Sequence, residues 1–343
     1  MRALHREVPS EWPKGKGIAI ALVGEAPGQE EIEDGRPFVG PAGRTLDRIL
    51  RTANIGRGDC FVGNVFSTKL EGNDVARERE VRGASWQEFE QWNLGRLAAE
   101  LKEAAPKLVV ALGETPLRYM TGQPWTVTSV RGTTRPGAGL FSSWRIFTAY
   151  HPAFVMRQWK MFVPTVADLT KAVAIASEPK ELPARKLNVE PSIQEVEDFL
   201  LGACLKADLL SVDIETAQKV GIIKGVAFAP SQWEAMYVPF VASTANGSYW
   251  PTAGQEERAW KAVKTVLEAP VPKLGQNFGN YDLPWLFEKA GIYVRGFQED
   301  LMLMHKTLFP ELPASLEFIA GCYSEQGPWK SALRKSHDGK KEE

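Results

Sequence analysis

The sequence predicts an α/β protein with two domains, each built on a sheet with helices packed against it. Apolar, β-branched runs alternate with helix-like segments in the first half, which is typical of a parallel sheet covered on both faces. Three prolines interrupt a charged stretch at residues 177–191, which indicates a linker. Strand-like runs then begin again, and a chain of 343 residues favours two domains.

The first domain, residues 1–176, is predicted to be a three-layer α/β/α domain with a parallel sheet. Its elements, by apolar pattern, are a strand at 18–23, a helix from Gly43, a strand at 61–66, a helix at 85–104, and strands at 107–113 and 145–149. Ligands of such folds bind at the carboxyl ends of the strands. The residues that follow each strand are therefore the first candidates for a site.

The second domain, residues 192–343, begins with a predicted strand at 209–214. Two further runs, KGVAFAP and AMYVPF, predict a meander of strands, and helices are expected from Glu256 and from Asp300. This order predicts an α/β domain with a mixed sheet.

Composition narrows the class of protein. The net charge of −1 does not by itself indicate nucleic-acid binding. No run approaches the ~18 apolar residues of a membrane span, so we expect a cytoplasmic protein with no membrane partner. Three cysteines, Cys60, Cys204 and Cys322, are too few and too scattered for a disulfide framework or a four-thiolate metal site.

The loop GEAPGQEEIEDGRPFVGPAG, residues 24–43, follows the first predicted strand. It matches neither common phosphate-binding glycine pattern, and its acids would repel a phosphate chain. Phe38, between Pro37 and Val39, could instead stack on a planar neutral ring such as a nucleobase. The alternative is a glycine-rich turn in which Phe38 fills the core.

Polar residues follow two other predicted strands. Asn64 offers a donor and an acceptor that could pair with the O4 and N3–H edge of uracil. His151, held by Pro152, could donate to a base carbonyl as negative charge develops there. Either residue alone is more often structural than functional.

Together these motifs resemble the uracil-DNA glycosylase superfamily, most closely its family 4 branch. The matching segments are the loop at 24–43, the VGN that ends at Asn64, PKLVVALG and AYHPAFVMR, in the family's order over most of residues 15–160. The resemblance implies a DNA repair enzyme that flips uracil out of uracil-containing or single-stranded DNA and excises it.

The resemblance also implies a role for particular positions. Phe38 would stack on the uracil, Asn64 would read its edge, and His151 would stabilise the departing anion. Glu25 and Glu31 match acidic positions that position water. The remaining implied contacts are to the base through Gly24, Ala26 and Pro27, and to DNA through Lys69, Pro152 and Arg157.

Family 4 members usually carry a four-cysteine iron–sulfur cluster, and the sequence departs from that pattern. Residues 1–17 contain no cysteine, and Thr68 and Asn93 fall where thiolates would be expected. Neither residue can replace a thiolate as an iron ligand. We therefore expect no iron–sulfur cluster.

Carboxylates form a second candidate site. Asp213 and Glu215 lie two residues apart on one predicted strand, so their side chains point to the same side, as a divalent metal site would need. The alternative is a solvent-facing strand. With Asp282 in GQNFGNYDLPWL, the pattern resembles the DEDD-type 3′–5′ exonuclease domain of family A DNA polymerases, especially phage-like ones.

This second resemblance implies an RNase H-like fold that binds Mg or Mn through Asp213, Glu215 and Asp282. The fourth carboxylate of the family is expected beyond the GPWK segment, so the domain is predicted to be incomplete, with Asp300 or Asp338 as substitute ligands. The chain would then be the front end of a phage-type DNA polymerase or a partner of a replication protein, in a bacterial or phage-infected cell. Two alternatives remain: a non-catalytic DNA- or partner-binding module, and a glycosylase for another base.

Overall fold

The computed structural model describes residues 6–15, 19–178, 184–242 and 247–324. The chain divides into two compact units, one formed by Met1–Lys180 with Glu317–Glu343 and the other by Glu181–Leu316. No helix in the described ranges is both long and apolar enough to cross a membrane. The domain boundaries predicted at residues 176 and 192 stay a prediction.

The sheet of the first unit is mainly parallel. Its strands in the described ranges are β1 (Ile20–Gly24), β2 (Phe61–Asn64), β3 (Leu108–Leu112), β4 (Thr134–Pro136) and β5 (Arg145–Ala149). The order is β2-β1-β3-β5-β4, and β4 alone runs antiparallel to its neighbour. β4 was not predicted, because its sequence TRP has no apolar pattern. The α/β class is confirmed, with a mixed sheet in place of a wholly parallel one.

Helices cover both faces of this sheet. They are α1 (Gln29–Asp34), α2 (Pro41–Thr52), α3 (Val75–Arg82), α4 (Trp86–Ala104), α5 (Glu114–Thr121), α6 (Val127–Val130), α7 (Pro152–Arg157) and α8 (Phe162–Ser177). Every residue of β1 and β3 is buried, as expected for parallel strands with both faces covered. α1 lies inside the glycine-rich loop and was not predicted.

The second unit is built on a mixed sheet. Its strands are β6 (Lys186–Asn188), β7 (Leu210–Ala217), β8 (Ile222–Ser231), β9 (Glu234–Pro239), β10 (Lys273–Gly275) and β11 (Phe297–Asp300), in the order β11-β10-β7-β8-β9-β6. β7, β8 and β9 form an antiparallel meander, and the remaining pairings are parallel. The predicted mixed sheet is confirmed. β6 lies within the predicted linker.

One face of this second sheet forms the core of the unit. The helices are α9 (Ile193–Asp198), α10 (Ala253–Glu268), α11 (Asp282–Ala290) and α12 (Leu301–Leu308). Along β7, buried Val212 and Ile214 alternate with exposed Asp213 and Glu215. The two carboxylates therefore lie on the face of β7 away from the core, as the period of a strand requires.

The last described helix, α13 (Leu316–Tyr323), packs within the first unit from Glu317 onward. It covers Arg131, which is fully buried and forms an ion pair with Asp168 at 2.7 Å. The Arg131 guanidinium also lies 4.9 Å from the Phe318 ring and 3.4 Å from Cys322 Sγ. A buried charge is thereby paired and covered, as burial of an arginine requires.

Candidate active site

A cavity of about 730 Å³ lies at the carboxyl ends of the strands of the first unit. The loop after β1 forms one wall, and Asn64 at the end of β2 lies on another side. His151, which caps α7, and Arg157, the last residue of α7, complete the lining. The sheet topology brings these segments together because β2, β1, β3 and β5 all point in one direction. Phe38, Asn64 and His151 all line this cavity.

Gly24 allows two of these side chains to meet. A Cβ atom at this position would collide with the Phe38 ring and with Asn64 Oδ1. Any larger residue would push the aromatic ring and the amide apart. Gly24 therefore lets the Phe38 ring and the Asn64 amide lie side by side, and its place in the base-binding set stays a prediction.

Phe38 is fixed by its backbone as well as by packing. Its φ of 52° lies in the left-handed region, which is unusual for an aromatic residue. Arg57 donates hydrogen bonds to the carbonyls of Phe38, at 2.9 Å, and Pro37, at 2.6 Å. The Phe38 ring is buried, and its centroid lies 5.8 Å from that of His151. The ring is therefore a rigid wall of the cavity.

Asn64 has an unsatisfied acceptor. Its side chain is 7% exposed, and Oδ1 accepts no hydrogen bond from any described residue. The Asn64 carbonyl is held by Arg96, which donates to it at 2.8 Å and to the Val65 carbonyl at 3.0 Å. Because a buried acceptor without a partner is costly, this oxygen is suited to receive a hydrogen bond from a ligand.

His151 caps the N-terminus of α7. Its Nδ1 accepts a hydrogen bond from the Ala153 N–H at 3.2 Å, so the neutral ring carries its proton on Nε2. Burial, followed by the charge of Arg157, lowers the pKa of His151 to about 4. The ring is therefore a neutral hydrogen-bond donor at physiological pH.

Glu25 and Glu31 differ in what their oxygens contact. Glu25 accepts a hydrogen bond from Thr115, and burial raises its pKa above the usual value of 4.5. Glu31 accepts three backbone N–H bonds, from Gly28 at 3.0 Å, Val39 at 3.1 Å and Gly40 at 2.8 Å. Glu31 thus closes the glycine-rich loop, a contact that does not favour the predicted water-positioning role. Glu25 stays available to the cavity.

The other predicted contacts are divided between the cavity and its rim. Ala26, Pro27 and Arg157 line the cavity. Pro152 is buried at the first position of α7, and Lys69 donates to the side chain of Gln29 at 2.9 Å. Pro152 and Lys69 therefore position neighbouring segments, and neither lines the cavity itself.

Hydrogen bonds occupy the region where the cluster ligands of family 4 were expected. Asn93 is fully buried on α4 and accepts a hydrogen bond from the Ser67 N–H at 2.9 Å. Its Nδ2 donates to the Phe89 carbonyl at 2.9 Å. Asn93 and Arg96 together tie the segment after β2 to α4. Thr68 is also buried, so this donor set of amide and hydroxyl groups does not fit an iron–sulfur cluster.

The carboxylates of the second unit are less well assembled. Asp282 is 2% exposed, and its Oδ1 accepts a hydrogen bond from the Ile214 N–H at 2.9 Å. Burial, and then the charges of Asp213 and Asp300, raise the pKa of Asp282 to about 7. Asp300 accepts backbone N–H bonds from Asn277 and Met302. Both carboxyl groups therefore accept hydrogen bonds from the backbone.

The metal prediction has limited support from this geometry. Within the described ranges, no three His, Cys, Asp or Glu side chains form a group that could hold a metal ion. Asp213 and Glu215 lie on the exposed side of β7, whereas Asp282 is buried at the first position of α11. These residues do not fit a two-metal centre as they lie. Asp338 lies outside the described residues.

Comparison with known proteins relates the first unit to one family. Residues 14–174 match the family model described as the uracil DNA glycosylase superfamily. A type-4 uracil-DNA glycosylase of Thermotoga maritima is 33% identical over 139 residues, which cover 40% of this chain and 66% of the relative. The type-4 enzyme of Pyrobaculum aerophilum is 31% identical over 155 residues, covering 44% and 74%.

Solved exonuclease structures give a weaker likeness. Trypanosoma brucei RNase D, in complex with RNA U12, has a TM-score of 0.28 and 12% identity, covering 45% of this chain and 59% of that one. The EXD2 exonuclease domain soaked in Mg has a TM-score of 0.26 and 16% identity, covering 45% and 83%.

Proposed function

The chain belongs to the uracil DNA glycosylase superfamily through residues 14–174, and on that premise we propose that its first unit excises uracil from DNA. The observation that carries the proposal is the unsatisfied, buried Oδ1 of Asn64 beside the Phe38 ring and His151. These groups supply a stacking wall, an edge-reading acceptor and a hydrogen-bond donor within one cavity.

Base recognition follows from the chemistry of these groups. Asn64 Oδ1 accepts the N3–H of uracil, and its amide nitrogen donates to O4. The Phe38 ring stacks on the base. A base inside a DNA stack cannot reach the cavity, so the nucleotide must flip out, at a cost of a few kcal/mol that stacking and hydrogen bonds offset.

Cleavage of the glycosidic bond leaves negative charge on the uracil ring. His151 Nε2–H donates to the uracil O2 and stabilises that charge as it develops. A neutral donor suits this step because no proton transfer is needed, and burial keeps His151 neutral. Glu25 holds the attacking water, because its carboxylate lines the cavity and is bonded only to Thr115 among its described side-chain partners.

The test is release of free base by the purified protein from single-stranded and duplex DNA. Uracil, thymine and hypoxanthine are the informative set, since all present an N–H beside a carbonyl to Asn64. Release of uracil alone supports the proposal. Release of hypoxanthine in preference to uracil would support the alternative of a glycosylase for another base.

We propose that the second unit is an exonuclease-like domain with low hydrolytic activity as described, since within the described ranges its carboxylates do not form a group of three that could hold a metal ion. The proposed link to a DNA polymerase or another replication protein rests only on the sequence resemblance, and co-elution of the two purified proteins would test it.

A further inference from the structure

An exposed aromatic surface adjoins the cavity. Trp159 is 48% exposed and Met156 is 44% exposed, and both follow His151, the residue that caps α7. Met156 and Arg157 already line the cavity, so this surface continues from its rim. We name Arg48, Met156, Trp159 and Phe162 the flanking platform.

The flanking platform is built as a stack. The Trp159 and Phe162 rings lie 4.8 Å apart at an interplanar angle of 22°. The Arg48 guanidinium lies 4.9 Å from the Trp159 ring and 5.5 Å from the Phe162 ring. Phe162 opens α8 and Arg48 lies on α2, so two helices hold the stack in place. Trp159 is thus supported, although half of it faces solvent.

The positive charges around the flanking platform favour a ligand that carries a phosphate. Arg48, Arg157 and Lys160 are exposed, and no ion pair joins any of them to a carboxylate in the described part of the chain. A cationic rim beside an aromatic stack complements a phosphate next to a base. Bases stack on aromatic rings and on arginine planes with little regard to their identity.

We propose that the flanking platform stacks the base of a nucleotide next to the excised one on the same DNA strand. The proposal rests on the proposed glycosylase function. It assigns the platform an unstacked base, which single-stranded DNA provides without melting a duplex. Single-stranded DNA should therefore gain more from the platform than duplex DNA does.

The test compares two single-stranded 12-nucleotide substrates with one central uracil. The first has a thymine on each side of the uracil, and the second has an abasic tetrahydrofuran on each side. Trp159→Ala should raise KM about tenfold on the first substrate and leave it unchanged on the second. Trp159→Phe should restore KM to within about threefold, because a ring remains.

The matched control is Trp92→Ala, which removes a 49% exposed tryptophan from α4 of the same unit. Its KM should stay at the wild-type value on both substrates. If Trp159→Ala changes KM equally on the two substrates, or on neither, the proposed stacking role of the flanking platform is wrong.

Failure of the glycosylase function is a separate outcome. If wild-type protein releases no base, the affinity of the same two oligonucleotides is measured by fluorescence anisotropy. A tenfold loss for Trp159→Ala on the thymine-flanked strand alone still supports the platform. Equal affinity of the variant and the wild type on that strand would overturn it.

Discussion

Asn64 in the first unit and Asp282 in the second are buried polar residues that differ in how their side-chain oxygens are used. In the first unit, Asn64 Oδ1 is buried without a described partner and Glu25 faces a cavity. In the second unit, Asp282 and Asp300 accept backbone N–H bonds. Both residue types suit ligand binding, but of these two residues Asn64 is the one with a buried side-chain oxygen that no described residue satisfies.

Burial has the same electrostatic effect in both units and opposite chemical consequences. It lowers the pKa of His151 to about 4 and raises that of Asp282 to about 7, so that both side chains favour their neutral forms. A neutral histidine is the donor that the proposed glycosylase step needs. A carboxyl group with a raised pKa must release its proton to bind a divalent metal, so metal binding at Asp282 would depend on pH.

The largest expected effect is the loss of activity when His151 or Asn64, two polar residues of the cavity, is replaced. His151→Ala and Asn64→Ala should each reduce uracil release by about 10²–10³-fold, because a hydrogen bond to the developing anion or to the base edge is lost. The control is Gln91→Ala, an exposed position on α4, which should keep full activity. Wild-type turnover in either variant would remove that residue from the mechanism.

The pH dependence of activity should report Glu25. Its pKa is raised above 4.5, whereas His151 titrates near 4, so activity should fall with decreasing pH as Glu25 becomes protonated. Glu25→Gln should lower the rate by about 10²-fold and remove this fall in activity at low pH. The check is kcat measured between pH 4 and 8. If kcat of Glu25→Gln still falls at low pH, a group other than Glu25 causes the pH dependence.

Asn93 should matter for stability. Asn93→Ala removes the acceptor of the buried Ser67 N–H, and we expect the free energy of unfolding to fall by about 1–3 kcal/mol. Gln91→Ala is again the control, because Gln91 is exposed on the same helix. Urea denaturation measures both. An Asn93→Ala variant as stable as the control would show that the hydrogen bonds do not tie the segment after β2 to α4.

The smallest effect concerns the pH dependence of stability in the second unit. Since the pKa of Asp282 is raised from 3.8 to about 7, its contribution to stability is full at low pH and is lost as pH rises through 7. Between pH 6 and 8 this loss is about 1.4 kcal/mol. Asp282→Asn should flatten the dependence. If the stability of the wild type and of Asp282→Asn depends on pH equally, a group other than Asp282 is responsible for the titration.

Much of the fold could be predicted from the sequence because the central strands are continuous apolar runs. β4 and β6 were missed, since TRP and KLN carry no strand pattern and gain their place from neighbouring strands. The packing of α13 from Glu317 onward within the first unit was missed as well. It depends on a buried arginine, Arg131, whose burial no local pattern indicates.

The site could be predicted in part. Phe38, Asn64 and His151 follow strands or lie in the glycine-rich loop, and the parallel topology brings them together. The use of Glu31 could not be predicted, because α1 turns its carboxylate back onto its own loop. Arg57 and Arg96 were also missed, since each acts on backbone carbonyls that are distant in sequence.

One reaction tests the central contrast between the two units most directly. A 5′-labelled single strand with one uracil is incubated with the full chain and Mn²⁺, and both free uracil and strand length are followed. We expect uracil release that is lost in His151→Ala, with no progressive shortening from the 3′ end. Absence of uracil release, or rapid shortening that Asp213→Ala abolishes, would contradict the account.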